Sequence, residues 1–131
     1  MRIQDIEVIN LRFAYSPDRC FQYAGGLCTG RLSTLIRVRT DSSLVGLGSV
    51  YSHPDLVRTI VRGQLRPALV GEDPSNVEEL WNRCYSRTRW YGRKGAAMSA
   101  LGVLNSGVFR RQIFGLFRQQ EGAVSRIICD V

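Results

Sequence analysis

Side chains able to carry chemistry are few in this sequence. The only histidine is His53 and the only lysine is Lys94; Cys20, Cys28, Cys84 and Cys129 are scattered, with no C-x-x-C pair. A structural zinc site takes its ligands from close pairs, so this spacing points to free thiols in a reducing cytoplasm. Gly46-x-Gly48 lacks the third glycine of a dinucleotide fingerprint and no helix starts at it, which removes the cofactor reading. Basic and aromatic residues are concentrated in one place: Arg83, Arg87, Arg89, Arg93 and Lys94 surround Trp90 and Tyr91. Such a run could stack on single-stranded bases while neutralising phosphates. It would serve equally as a solvated helix end and loop, or as a rim for an anionic small molecule.

The remaining charge argues against a nucleic-acid surface. The chain has 131 residues and a net charge of +7, but its arginines are dispersed. Arg37 and Arg39 alternate with Ile36 and Val38, as on a half-exposed strand, and Arg58, Arg62 and Arg66 recur at helical spacing. At this length one domain can bury a modest core without disulfides. No apolar run of membrane-spanning length and no leader pattern is present, so a soluble, unsecreted chain is expected.

The elements that must position these groups follow from punctuation and period. Residues 3–13 predict a strand, and 14–31 a long loop rich in Gly, Ser and Pro that nevertheless holds Tyr15, Phe21 and Tyr23. Residues 32–40 and 44–50 predict a hairpin around the turn TDSS, with Gly46 and Gly48 permitting close backbone approach. Ser52 is a natural N-cap for a helix with Pro54 and Asp55 in its first turn. Leu56, Ile60, Val61 and Leu65 then form one apolar face, and Pro67 ends or kinks the helix. Gly71-Glu72-Asp73-Pro74 predicts a stop and a new start, with Asp73 as cap and Pro74 at the first helical position. Val77, Leu80, Trp81 and Cys84 give the next helix its apolar face. Residues 91–95 predict a polar loop, and Ala96–Leu101 a small-residue helix.

Three of these segments together carry a family resemblance. TLIRVRTDSSLVGLGSV supplies a turn before a G-x-G strand. Leu65, Pro67, Leu69, Gly71, Asp73 and Pro74 spell L-x-P-x-L-x-G-x-D-P, and Glu78, Leu80 and Trp81 an E-x-L-W helix ahead of GRKGAAMSALG. In this order they resemble the N-terminal capping domain of the enolase superfamily, in its mandelate racemase and muconate-lactonizing branch, over residues 1–102. The resemblance implies an α+β fold: a small antiparallel three-stranded sheet followed by helices, without the TIM-type barrel that such a cap closes. It implies a chemistry for the complete enzyme, Mg²⁺-dependent abstraction of the proton α to a carboxylate of a hydroxy acid or acid sugar, in a racemase, cycloisomerase or dehydratase. A weakly acidic carbon needs a divalent cation on the developing charge and a base within reach. In the family those groups come from barrel strands, so no catalytic or metal-ligating role falls on this chain, Lys94 included.

What a cap contributes is substrate selection, through the loop between its first two strands and the loop after the third. Here these are about Ser16–Thr29 and Ser49–Pro54, so Phe21, Tyr23, Tyr51 and His53 are the expected substrate contacts. The three aromatic residues could equally anchor loops, and His53 could be a surface residue at a helix start. Many members carry a glutamate where Ser49 stands, which leaves the substrate open. After Gly102 the family's G-[IV]-D-x-A-L-W-D run is not found. Val108, Ile113, Phe114, Leu116 and Phe117 are interrupted by Gly107 and Gly115, a departure expected of a frameshift, an alternative exon or a truncation. A cap alone should be inactive and should self-associate through apolar surface meant for a barrel. A small basic module for single-stranded nucleic acid or a protein partner is the competing reading.

Overall fold

The computed structural model describes residues 1–106. Strand β1 (Ile3–Ala14) pairs antiparallel with β4 (Gly30–Thr40), which pairs antiparallel with β5 (Val45–Val50), giving a three-stranded sheet in the order β1-β4-β5. Between β1 and β4, the short strands β2 (Phe21–Tyr23) and β3 (Gly26–Cys28) form a second sheet of two strands. The expected long loop is therefore a hairpin. Its pairing Phe21↔Cys28 is set by a turn too short to be seen as strand signal in a Gly-rich stretch.

Period two divides the main sheet. Ile6, Val8, Ile36, Val38 and Val50 are buried on one face. On the other, Asp5 stands opposite Arg39 and Glu7 opposite Arg37 in the ladder, and the Arg37 Nε donates to a Glu7 carboxylate oxygen at 3.0 Å. The β4–β5 turn folds where TDSS predicts it. Ser43 takes the left-handed conformation at φ 61°, and Asp41 accepts from the Arg2 backbone N–H at 2.8 Å, tying the turn to the start of β1.

The helices cover the buried face, with contacts from α1 to β4, α2 to β1 and α4 to β5. The first rod runs from α1 (Pro54–Ile60) through a π-helical turn (Val61–Leu65) into α2 (Arg66–Leu69). Pro67 neither ends nor breaks it. Proline cannot donate to the ladder and crowds the preceding turn, and the π turn just before it, closed by the Arg66 N–H on the Val61 carbonyl, widens the helix there. The apolar face is Val57, Val61 and Leu65, all fully buried, whereas Leu56 is 55 % exposed. The helix cap lies at His53, one residue beyond Ser52.

Helix α3 (Val77–Thr88) starts three residues later than the Asp-Pro signal predicts. Asp73 instead caps a turn, accepting from the Ser75 N–H at 2.9 Å, and Asn76 becomes the N-cap. Leu80, Cys84 and Thr88 are its buried line. Helix α4 (Ala96–Leu104) buries Ala97, Ala100, Leu101, Val103 and Leu104, so it passes through Gly102. From Gly107 on, the C-terminal segment expected to depart from the family pattern lies outside the described residues. No helix among the described residues is long and apolar enough to cross a membrane.

A bridge of charge fastens the sheet to α2: the Asp5 carboxylate accepts from Arg66 at 3.0 Å and from Arg39 at 3.2 Å. Partial burial raises its pKa, and the hydrogen bonds from Arg66 and Arg39 outweigh that, so the net shift is below the ordinary 3.8. A depressed carboxylate stabilises the fold above its unfolded pKa and loses that contribution as pH falls through the folded value. All three side chains are partly solvated, so Asp5→Asn should cost only about 0.5–1 kcal/mol at neutral pH. The difference from the unaltered chain should shrink in urea unfolding below pH 3.8; a constant difference would remove the bridge from the stability account.

Candidate functional site

β1 and β4 stay paired well beyond the helices that cover them, out to Phe13↔Arg31 and Ala14↔Gly30. A further backbone bond, Tyr15 N–H to the Thr29 carbonyl at 2.9 Å, carries the ladder into the β2–β3 hairpin. The result is an arm whose outward side bears rings. Phe13 and Tyr15 meet edge to face at 5.9 Å between centroids. Tyr15 and Phe21 follow at 6.4 Å, and Phe21 and Tyr23 at 6.3 Å. Each such pair contributes about 0.5–1.5 kcal/mol beyond area burial, enough to hold the rings in a row. The tip is shaped by Gly25, where a β-carbon would lie 2.6 Å from the Tyr23 ring. Any side chain there would push the tyrosine off the turn.

The row remains open to solvent, with Phe13 and Phe21 each 53 % and Tyr23 59 % exposed. Exposed apolar surface that is contiguous over several residues is characteristic of ligand-binding and association faces. Tyr51, just after β5, is 82 % exposed. Its ring lies 5.8 Å below the Arg31 guanidinium, and Arg31 is the ladder partner of Phe13. Of the four residues expected to contact substrate, Phe21 and Tyr23 therefore touch, and Tyr51 reaches their row through Arg31. His53 does not join them by any contact. It is exposed at the start of α1, and its carbonyl accepts the Val57 N–H at 3.1 Å. Phe13 and Arg31 escaped the sequence reading, although the register that pairs them could have been traced outward from Ile36 and Val8.

The remaining reactive groups lie elsewhere. Cys20 and Cys28 are free thiols that donate to the carbonyls of Ser16 and Gly30 at 3.5 and 3.3 Å. Cys84 sits in the core, where burial pushes its thiol up to about 11. Arg83 is held between Glu72 and Glu79, which takes it out of the basic run. Trp90 is 85 % exposed under the Arg89 guanidinium, 5.1 Å from its ring centroid. Among the described residues no group of three or more His, Cys, Asp or Glu is placed to hold a metal ion. Those residues do not fit a magnesium site, and the chemistry the arm can offer is stacking, apolar contact and the guanidinium charge that Arg31 holds over Tyr51.

Known proteins share this arrangement of sheet and helices. The family described as "Mandelate racemase / muconate lactonizing enzyme, N-terminal domain" matches residues 9–105. A D-galactonate dehydratase family member from Paenibacillus sp. (strain JDR-2) is 37 % identical over 81 residues, covering 58 % of this chain and 19 % of that protein. Arabinonate dehydratase from Saccharolobus solfataricus is 28 % identical over 74 residues, 55 % of this chain and 20 % of its own length. The chain thus spans about a fifth of the curated relatives it matches. In fold it superposes on a racemase from Streptomyces coelicolor A3(2), solved with bound magnesium, with a TM-score of 0.74 at 24 % identity over 84 % of this chain and 31 % of that one. The L-Ala-D/L-Glu epimerase from Bacillus subtilis gives 0.68 at 20 % identity over 86 % and 31 %. With three quarters of its residues inside the family match and the sheet-and-helix cap fold present, this chain belongs to the mandelate racemase / muconate lactonizing enzyme N-terminal domain family of the enolase superfamily.

Proposed function

We propose that this chain is a substrate-selecting cap for an enzyme acting on a hydroxy acid or acid sugar. The supporting observation is the aromatic arm: four rings in contact, Phe13, Tyr15, Phe21 and Tyr23, left half open on a hairpin that projects past the core. Relatives named as D-galactonate dehydratase and arabinonate dehydratase favour a polyhydroxylated carboxylate as ligand. Rings stack on the C–H faces of such a chain and exclude water. The complete enzyme's chemistry in this reading is abstraction of the proton α to the carboxylate, as in a dehydratase, racemase or cycloisomerase. Magnesium would supply charge stabilisation there from residues other than the described ones. Proton transfer needs a base and an electrophile converging on one carbon; in this reading both come from the rest of the enzyme, and the cap acts through binding. Free thiols at Cys20, Cys28 and Cys84 suit a cytoplasmic setting.

Two assays test this reading. The 131-residue chain should show no turnover of galactonate, arabinonate or mandelate with magnesium; turnover would overturn the division of labour. Residues 9–105, grafted in place of the corresponding segment of the Paenibacillus relative, should give an active chimera with altered substrate preference. In that chimera Phe21→Ala with Tyr23→Ala should lower kcat/KM by about tenfold or more, the scale of lost ring contacts. An unchanged kcat/KM would take the arm out of substrate binding.

A further inference from the structure

Of the arginines on the arm, Arg12, Arg19 and Arg31, only Arg31 lies over an aromatic ring among the described residues. Its ladder partner is Phe13 and its charged head lies 5.8 Å over the Tyr51 ring. No carboxylate pairs with it among the described residues, whereas Arg37 and Arg39 on the same strand each have one. A guanidinium stacked on an aromatic face loses part of its rotamer freedom while its N–H edge stays free. That edge is a fork matched to an oxyanion. The aromatic row begins at the same place, since Phe13 touches Tyr15 and Tyr15 touches Phe21. Apolar contact and a single cation thus share one surface.

Resting on the cap reading above, we propose that Arg31 selects ligands carrying a second anionic group at the end remote from the reacting carboxylate: an acid sugar with the reacting carboxylate at one end and a carboxylate or a phosphate at the other. The reacting carboxylate belongs to the catalytic part of the enzyme, so a cation on the cap has a charge to meet only if the far terminus is also anionic. A neutral hydroxymethyl terminus would leave Arg31 without a partner and gain only ring contacts. Tyr51 has a positioning role, holding the guanidinium over its face.

The matched probes are D-gluconate, D-glucarate and 6-phospho-D-gluconate, which differ at one end only. Each is titrated into the 131-residue chain at fixed ionic strength, and the amide shifts of residues 13–31 and 49–54 are followed by two-dimensional NMR. The expected result is that glucarate or 6-phosphogluconate saturates at about tenfold lower concentration than gluconate, the scale of one charge-assisted contact; whichever of the two is preferred identifies the anion. Arg31→Gln should abolish the preference and Arg31→Lys should keep part of it, while Arg62→Gln, on the distant helical rod, should leave it intact. Equal affinity for all three probes, or a preference that survives Arg31→Gln, overturns the proposal. If gluconate and glucarate bind equally and both weaken on Phe21→Ala, the cap reading stands and this one falls. If no probe moves these amides at all, both fall.

Discussion

Replacing Leu65 by alanine should lower the urea midpoint of unfolding by roughly 2 M, the consequence of losing about 3–4 kcal/mol. Leu65 has no exposed surface and belongs to the single cluster that includes Ile6, Ile36, Leu69, Leu80 and Leu101. The truncation removes apolar burial and leaves a void on a π turn whose backbone is fixed by the Arg66–Val61 hydrogen bond and by Pro67. Such a backbone cannot settle inward to fill it. A domain of this size holds about 5–15 kcal/mol in total, so the variant should be partly unfolded on warming. Leu56→Ala is the informative control. Leu56 lies on the same rod but is 55 % exposed, and its loss should change stability by about 0.5 kcal/mol or less. Equal effects at the two positions would mean that the rod is rotated from the orientation described above.

The 3.6-residue period from Leu56 to Leu65 shows a helix and places Val61 and Leu65 in the core with Ile60 packed against it; only Leu56 is misplaced, Val57 being buried in its stead. A π turn adds a residue to the cycle, and Pro67, expected to end or kink the helix, follows directly after that insertion in a helix that continues to Leu69. The hairpin 32–50 and the stripe Val77, Leu80, Trp81 and Cys84 were legible because each is a uniform period closed by turn chemistry. Leu80 and Cys84 are buried, with Val77 and Trp81 packed beside them. The Asp73-Pro74 start failed by three residues, since an aspartate that bonds its own loop backbone is locally as good a solution as a helix cap.

The arm was half legible. Its rings could be named, because aromatic residues in a Gly-rich segment stand out, yet their arrangement depends on a hairpin only three residues per strand, too short to leave a periodic trace. Arg31 read as one more dispersed charge. Its setting comes from the long-range pairing of β1 with β4, which places Phe13 beside it from eighteen positions earlier in the chain. Tyr51 belongs to the same surface only through that arginine.

Gly48→Ala should destabilise the chain by about 2–3 kcal/mol, at the upper end of overpacking costs. A β-carbon built there would lie 2.7 Å from both the Cγ2 and the carbonyl oxygen of Val103. A side-chain methyl can rotate away, but a carbonyl inside α4 cannot, so the helix must lift from β5 as a body. The strand motif G-x-G therefore has a mechanical role here: it lets a helix backbone approach the sheet within van der Waals contact. Gly63→Ala gives the contrast, since nothing lies within 4 Å of that position; it should be neutral, or stabilise by up to about 1 kcal/mol through its better helical propensity. Val103→Ala removes the methyl contact but not the carbonyl. Combined with Gly48→Ala it should recover about 1 kcal/mol of the additive expectation in a double-mutant cycle, and no more. Full recovery would assign the clash to the side chain alone and free α4 to stay in place. Strict additivity would place the whole clash on the Val103 carbonyl, which Val103→Ala leaves where it is.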